Sequence, residues 1–298
     1  MTAPGRRTFP PSAASFPEAG AVELSVLVPA KDEEAAIPVL AAEIERELDA
    51  LGRRWECLWI DDGSRDGSRA LLIDLHHRRR EHQLISFERN YGQSAALGIA
   101  FRAAAGRILI TLDADLQNDP RDIPRLLARL EGDATLGMVN GIRRRRHDGW
   151  LRRISSRIAN GFRNWLTHEA VRDVGCSLRV FYRDCVEDIP RIRGMHRFIP
   201  TYARMRGYRV AELPVDHRPR RFGETKYGIR NRLWVGLIDT LGVRWLQQRH
   251  VLPQIRENTL SSGGAQRETT ADAGPRRRDR TGAPSLHRSD SESKSRRS

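Results

Sequence analysis

No apolar run in these 298 residues approaches the ~18–20 needed to cross a bilayer. The nearest, Leu233 to Leu246, is too short and carries Asp239 and Arg244. The N-terminus lacks the apolar core of a signal peptide. Cysteine is scarce: Cys57, Cys176 and Cys185 have neither metal-ligand spacing nor an even number for disulfides, which points to a reduced, cytosolic setting. No internal repeat is visible. Both common phosphate loops, GxGxxG and GxxxxGKS/T, are missing, which weighs against a dehydrogenase and a P-loop NTPase. Phosphates bound here must be handled by a metal and basic side chains.

Apolar residues are also few, 39%, and the deficit lies at the ends. Residues 1–21 are rich in Pro, Ala, Ser and Gly; residues 251–298 are rich in Ser, Arg, Gly and Asp, including Arg276-Arg277-Arg278-Asp279-Arg280. Such segments bury too little apolar area to offset chain entropy and are expected to be disordered. The expected folded part is one domain over residues 22–230 with a C-terminal helix over 231–250. What the chain has in excess is positive charge, +14, which calls for an anionic partner: nucleic acid, an anionic membrane surface or a phosphorylated substrate.

Within the folded part, apolar runs alternate with helical periodicity. Strands are expected at Leu24 to Pro29, Trp55 to Ile60, Gln83 to Phe87 and just before Asp113, with helices at Glu33 to Leu51, up to about Arg80, and at Ser94 to Ala105. This alternation argues for an α/β fold with a mainly parallel sheet flanked by helices, whose ligands bind at the C-terminal strand edge. Acidic residues fall at that edge: Glu33 after the first strand, Asp61 and Asp62 after the second, Asp113 and Asp115 after the fourth. Positions i and i+2 of an extended segment share a face, so Asp113, Asp115 and Gln117 form an oxygen set suited to Mg²⁺ or Mn²⁺. A solvated turn before Pro120 explains the same residues without a metal.

After Asp133 the pattern changes. A strand is expected at Gly137 to Ile142, followed by Arg143 to Arg146. From about 149 to 167, Trp150, Leu151, Ile154, Ile158, Phe162 and Trp165 follow a helix face, with Arg152, Arg153, Arg157 and Arg163 among the rest. The spacing fits an interfacial membrane helix and equally a core-packed helix with a basic solvated face. Asn231 to Arg249 repeats the theme with Leu233, Trp234, Leu237, Ile238, Leu241, Trp245 and Leu246, which tilts the balance toward membrane contact.

Five ordered motifs together resemble the family-2 glycosyltransferases of GT-A fold, specifically the dolichol-phosphate mannose synthase-like polyprenyl-phosphate hexosyltransferases. They are Val28-Pro29-Ala30-Lys31-Asp32-Glu33-Glu34, Asp61-Asp62-Gly63-Ser64-Arg65-Asp66-Gly67, Arg89-Asn90-Tyr91-Gly92-Gln93-Ser94-Ala95-Ala96, Asp113-Ala114-Asp115-Leu116-Gln117-Asn118-Asp119-Pro120 and His217 to Tyr227. The resemblance spans about residues 24–250. It implies an inverting, metal-dependent transfer of a hexose from a UDP-glucose- or GDP-mannose-type donor to undecaprenyl or dolichyl phosphate. It further implies that Pro29, Glu33, Asp61, Asp62, Gln93 and Asp113 bind the nucleotide sugar. Asp113, Asp115 and Gln117 would hold the divalent cation. Arg143, Arg152, Ser156 and Arg220 would hold the acceptor phosphate. Asp115, Asp173 and Lys226 stand at the family's catalytic positions, Asp173 in a positioning role more than as a base. Lys31 departs from the family's usual Tyr, and Thr225 from its usual Ser. Many bacterial relatives add membrane-spanning helices where this chain has a polar tail. The expectation is therefore a peripheral enzyme on the cytoplasmic membrane face, held by its amphipathic segments or by an integral membrane partner.

Three other readings compete. A transferase using a soluble or cell-envelope glycan acceptor would need a base near Asp173 and has no use for an arginine-rich amphipathic helix. A nucleic-acid- or membrane-binding protein without catalysis would suit the charge, but no reading module or stacking platform for nucleic acid is present, so no nucleic acid is expected. A catalytically silent nucleotide-sugar binder is disfavoured by the intact metal trio and Lys226.

Overall fold

The computed structural model describes residues 21–144, 161, 164–167, 171–187, 189–190, 192–219 and 229–249. Its sheet grows outward from β1 (Leu24–Ala30), an apolar run buried along nearly its whole length. β2 (Trp55–Asp61) and β4 (Ile108–Thr111) lie parallel on either side of β1, and β3 (His82–Ser86) adds parallel to β2. β6 (Arg179–Tyr182) pairs antiparallel with both β4 and β5 (Leu136–Arg143), and β7 (Arg209–Val215) closes the far edge parallel to β5. The order is β3-β2-β1-β4-β6-β5-β7. This is the expected mainly parallel α/β sheet, with one reversed strand.

The helices fall near their expected places. α1 (Ile37–Asp49) buries Leu40, Ile44 and Leu48, each worth about 2 kcal/mol of burial. It starts later than Glu33, because Asp32 has a left-handed φ of 52° and the helix opens with Pro38 in its first turn. α2 (Ser68–Arg78), α3 (Gln93–Ala103) and α4 (Ile123–Glu131) follow, then the short α5 (Ile199–Met205) and the long α6 (Ile229–Arg249). His82 ties β2, β3 and α1 together: the Trp59 indole, a donor only, bonds its Nδ1 at 3.0 Å, so Nε2 carries the proton toward Glu45 at 2.9 Å.

Two strands were not anticipated from the sequence. β6 is four residues long and contains a buried arginine, which breaks the apolar pattern. β7 is mostly half-exposed and contains Pro214, which a sheet tolerates at an edge. The expected amphipathic helix over 149–167 falls mostly outside the described residues. α6 is present, but its apolar side chains divide between two faces. Val243 and Leu246 pack inward, whereas Ile238, Leu241 and Trp245 point outward, 65%, 51% and 58% exposed. Gln248 and Arg249 are exposed too, and the Arg249 guanidinium lies 5.9 Å from the Trp245 ring, so the described part of this face carries apolar and basic groups together. No described helix is long and apolar enough to cross a membrane.

Candidate active site

β1 lies between β2 and β4, so the connections leaving these strands diverge and open a crevice at their C-terminal ends. After β1, Glu33 is half-buried; its N–H donates to Ser68 Oγ at 2.9 Å and its carbonyl accepts the N–H groups of Ala36 and Ile37. Pro29 stays within β1 opposite Ile60. Lys31, where the family has an aromatic, reaches the Gly63 carbonyl at 3.0 Å and Asp32 at 3.3 Å.

Asp61 and Asp62 are buried and spend their oxygens on the protein. Asp61 accepts from the Ser64 N–H at 2.9 Å and the Ser86 hydroxyl at 2.7 Å. Asp62 accepts from the N–H groups of Tyr91 and Gly92 at 2.6 and 2.9 Å. These carboxylates shape the loops after β2 and β3, which in turn deliver Gln93 at the start of α3. Gly63 between them has φ 67°, and a Cβ there would stand 2.5 Å from the Arg89 backbone, so only glycine lets the two loops touch.

The acidic run after β4 differs from the alternating-strand picture. β4 ends at Thr111, before Asp113, and the run is a loop in which Leu116 adopts φ 62°. Asp113, Asp115 and Gln117 are each half-buried. Asp32 and Leu116 are the two non-glycine residues with left-handed backbone among those described, and both lie in loops leaving adjacent strands. Strain of this kind collects at functional sites. The Asp115 carboxylate accepts the Gln117 N–H at 3.1 Å, and Gln93 Nε2 donates to Asp113 Oδ1 at 2.7 Å. Burial, and then the charge of Asp115, push the Asp113 carboxyl up to about 6. Two carboxylates held close together fit a hard divalent cation, which would relieve that repulsion, and Gln117 is the next oxygen-bearing side chain along the loop. Among the described residues no three His, Cys, Asp or Glu side chains converge, so a cation here would take its remaining oxygens from a ligand.

Beside this loop stands a buried ion pair. Arg143 at the end of β5 donates through Nε and Nη2 to the two oxygens of Asp173, both at 2.8 Å, and Asp173 also accepts the Arg143 and Gly175 N–H groups at 3.2 and 3.1 Å. Asp173 is 2% exposed. A carboxylate so committed orients Arg143 and is poorly placed to take a proton. Arg152, Ser156, Arg220 and Lys226 lie outside the described residues.

Several participants escaped sequence reasoning. Arg218 clamps the chain after β7 onto the acidic loop: its N–H donates to the Gln117 carbonyl at 2.9 Å, and its guanidinium reaches Asp119 at 2.7 Å and Glu43 at 2.8 Å. Asn118 bridges to His217 in the same clamp. Arg179 and Asn140 bond each other between β6 and β5 at 2.9 Å. An arginine inside the run Leu178 to Tyr182 was the available signal, since arginine is seldom fully buried without a purpose.

Comparison with known proteins agrees with this fold. The family described as glycosyl transferase family 2 matches residues 25–189. Undecaprenyl-phosphate 4-deoxy-4-formamido-L-arabinose transferases from Salmonella paratyphi B and Salmonella newport are each 37% identical over 213 residues, 71% of this chain and 64% of theirs. The chain thus spans a little under two thirds of the length of these relatives. Glucosyl-3-phosphoglycerate synthase from Mycobacterium tuberculosis, in complex with Mn²⁺, UDP and glucosyl-3-phosphoglycerate, shares the fold with a TM-score of 0.57 at 21% identity, over 76% of this chain and 80% of that one. Its complex with Mg²⁺ and UDP gives 0.57 at 20% identity, over 75% and 80%.

Proposed function

This chain belongs to glycosyl transferase family 2, and on that premise we propose that it moves a sugar from a nucleotide-diphosphate donor to a polyprenyl phosphate, with inversion. The observation that carries this is the placement of the Asp113–Asp115–Gln117 loop next to the Arg143–Asp173 pair. One is a site for a cation and the diphosphate it neutralises; the other presents a guanidinium for a second phosphate. A divalent cation held by Asp113, Asp115 and Gln117 would stabilise the diphosphate as it leaves. Pro29, Glu33 and Gln93 would line the nucleotide side, with Asp61 and Asp62 shaping it through the loops they anchor, and Arg152, Ser156, Arg220 and Lys226 would complete the acceptor and catalytic set.

Asp173 favours a phosphate acceptor over a soluble glycan. A sugar hydroxyl needs a base, and the one carboxylate expected there is committed to Arg143. A phosphate monoester oxygen is already anionic at neutral pH and attacks the anomeric carbon unaided. Arg143 then counters the repulsion between two anionic substrates. The lipid chain would approach along the outward face of α6 and the exposed Trp165, adjacent to it through the Gln247 to Thr167 bond at 3.1 Å, which implies a peripheral position on an anionic membrane surface. Because the relatives above are named for a pentose derivative, the donor is sought beyond hexoses.

The test is incubation with Mn²⁺ or Mg²⁺, a polyprenyl phosphate and, in turn, UDP-glucose, GDP-mannose, UDP-GlcNAc and UDP-4-deoxy-4-formamido-L-arabinose. A lipid-linked sugar from one donor, lost on chelation and in Asp115→Ala, is expected. Turnover on a soluble acceptor with none on the lipid would sink the acceptor assignment.

A further inference from the structure

Arg179 lies within β6 with 3% of its surface exposed. Its guanidinium donates in three directions: Nε to Asn140 Oδ1 at 2.9 Å, Nη1 to the His196 carbonyl at 3.0 Å and Nη2 to the Val174 carbonyl at 2.9 Å. All three acceptors are neutral. The carboxylates whose fields reach it, Asp113 and Asp173, belong one to each half of the site. Burying a cation without a contacting counter-ion is costly, and a leucine or methionine would fill the space at less cost. The arginine is therefore retained for what its fork connects.

Each prong leads to one half of the site. On the acceptor side, Val174 adjoins Asp173, and Asn140 Nδ2 donates to the Asp173 carbonyl at 3.1 Å, fixing the residue that holds Arg143. On the donor side, the His196 ring bonds Ser94 Oγ at 2.8 Å; Ser94 follows Gln93, whose amide holds Asp113. Strand register supports the same bridge, since Arg179 pairs with Thr111 of β4 on one side and Asn140 of β5 on the other.

We propose that Arg179 is a positioning residue that locks the 113–117 loop and the Arg143–Asp173 pair into one rigid unit, setting the separation between the donor diphosphate and the acceptor phosphate. The substrates in this statement rest on the function proposed above; the mechanical coupling does not. Lysine keeps the charge but cannot span three acceptors with a planar fork.

The test uses Arg179→Lys and Ser94→Ala in the full chain, assayed with the donor and polyprenyl phosphate that the wild type turns over. Misplaced reactants cost rate more than binding, so Arg179→Lys should lower kcat about 100-fold while both KM values stay within about threefold. Ser94→Ala removes one hydroxyl and should lower kcat by about fivefold at unchanged KM. It should also quicken amide exchange at Val174 and Gly175, which Ser94 does not bond. Unchanged kcat per folded enzyme in Arg179→Lys, or a rise in one KM alone, would overturn the proposal. So would a Ser94→Ala exchange change confined to α3 and residues 113–117. If Arg179→Lys does not fold, Ser94→Ala decides alone. If the wild type is inactive with every donor, the proposed function fails and the exchange pattern of Ser94→Ala settles the coupling by itself.

Discussion

Gln93 Nε2 lies 2.7 Å from Asp113 Oδ1, so a helix covering the sheet orients a carboxylate that follows a different strand. A hydrogen bond to a charged group contributes about 1.5–3 kcal/mol. Gln93→Leu should weaken Mn²⁺ binding in the presence of nucleotide by about 10- to 100-fold, read by metal titration. Unchanged metal affinity would show that Asp113 needs no such support.

Arg218 is the clamp between α1, the acidic loop and the chain after β7. In Arg218→Met, Glu43 loses a partly buried partner, and among the described residues Asp119 keeps Arg121 as its one cation. A loss of about 2 kcal/mol is expected, a fall in Tm of about 4–8 °C by calorimetry. Activity should fall further than stability accounts for, because Asp119, in the acidic loop two residues beyond Gln117, loses its side-chain tie to the chain after β7.

Acid should destabilise the fold through its buried imidazoles. Burial, with the charges of Arg197 and Arg179 nearby, pushes His196 down to about 3. Its folded value therefore lies below the unfolded one of about 6.5. Stability from the neutral ring is full above that value and is lost as pH falls toward 3, at most about 1.4 kcal/mol per pH unit. His82, also held neutral by burial, acts in the same direction. Urea unfolding at several pH values should give a shallower acid slope in His196→Gln than in wild type. An identical slope would mean that the ring is solvated.

The outward face of α6 exposes Ile238, Leu241 and Trp245, whereas Val243 packs inward. Replacing the three exposed residues by serine should lower binding to anionic phospholipid vesicles by at least about tenfold, since each contributes apolar area on insertion. Tm should change by less than about 2 °C, because none of the three supports the core. Unaltered sedimentation with vesicles would exclude this face from membrane contact.

The parallel half of the sheet was legible because β1 and β2 are unbroken apolar runs and α1 has a clear helical face. Family membership was legible for a related reason: Asp62, Gly63, Asp113 and Asp115 occur in short ordered motifs whose chemistry survives without context. The geometric argument drawn from the acidic run was wrong in its particulars. Asp113 and Asp115 do not alternate along a strand; β4 stops at Thr111 and a left-handed Leu116 turns the loop. They still lie close enough for the charge of Asp115 to act on Asp113, because the single loop after β4 turns sharply at Leu116. β6 and β7 were illegible because a buried arginine and an edge proline break the patterns by which strands are recognised.

The sequence by itself thus determined the sheet's parallel core, the family and the acidic edge, all carried by residues close together along the chain. Only the tertiary structure decided what each charged group does. Asp61 and Asp62 became loop anchors and Asp173 the partner of Arg143. Arg179 found its acceptors at residues 140, 174 and 196, which no local periodicity relates. Side-chain pairing across strands depends on register and on where loops return, and those are properties of the folded chain.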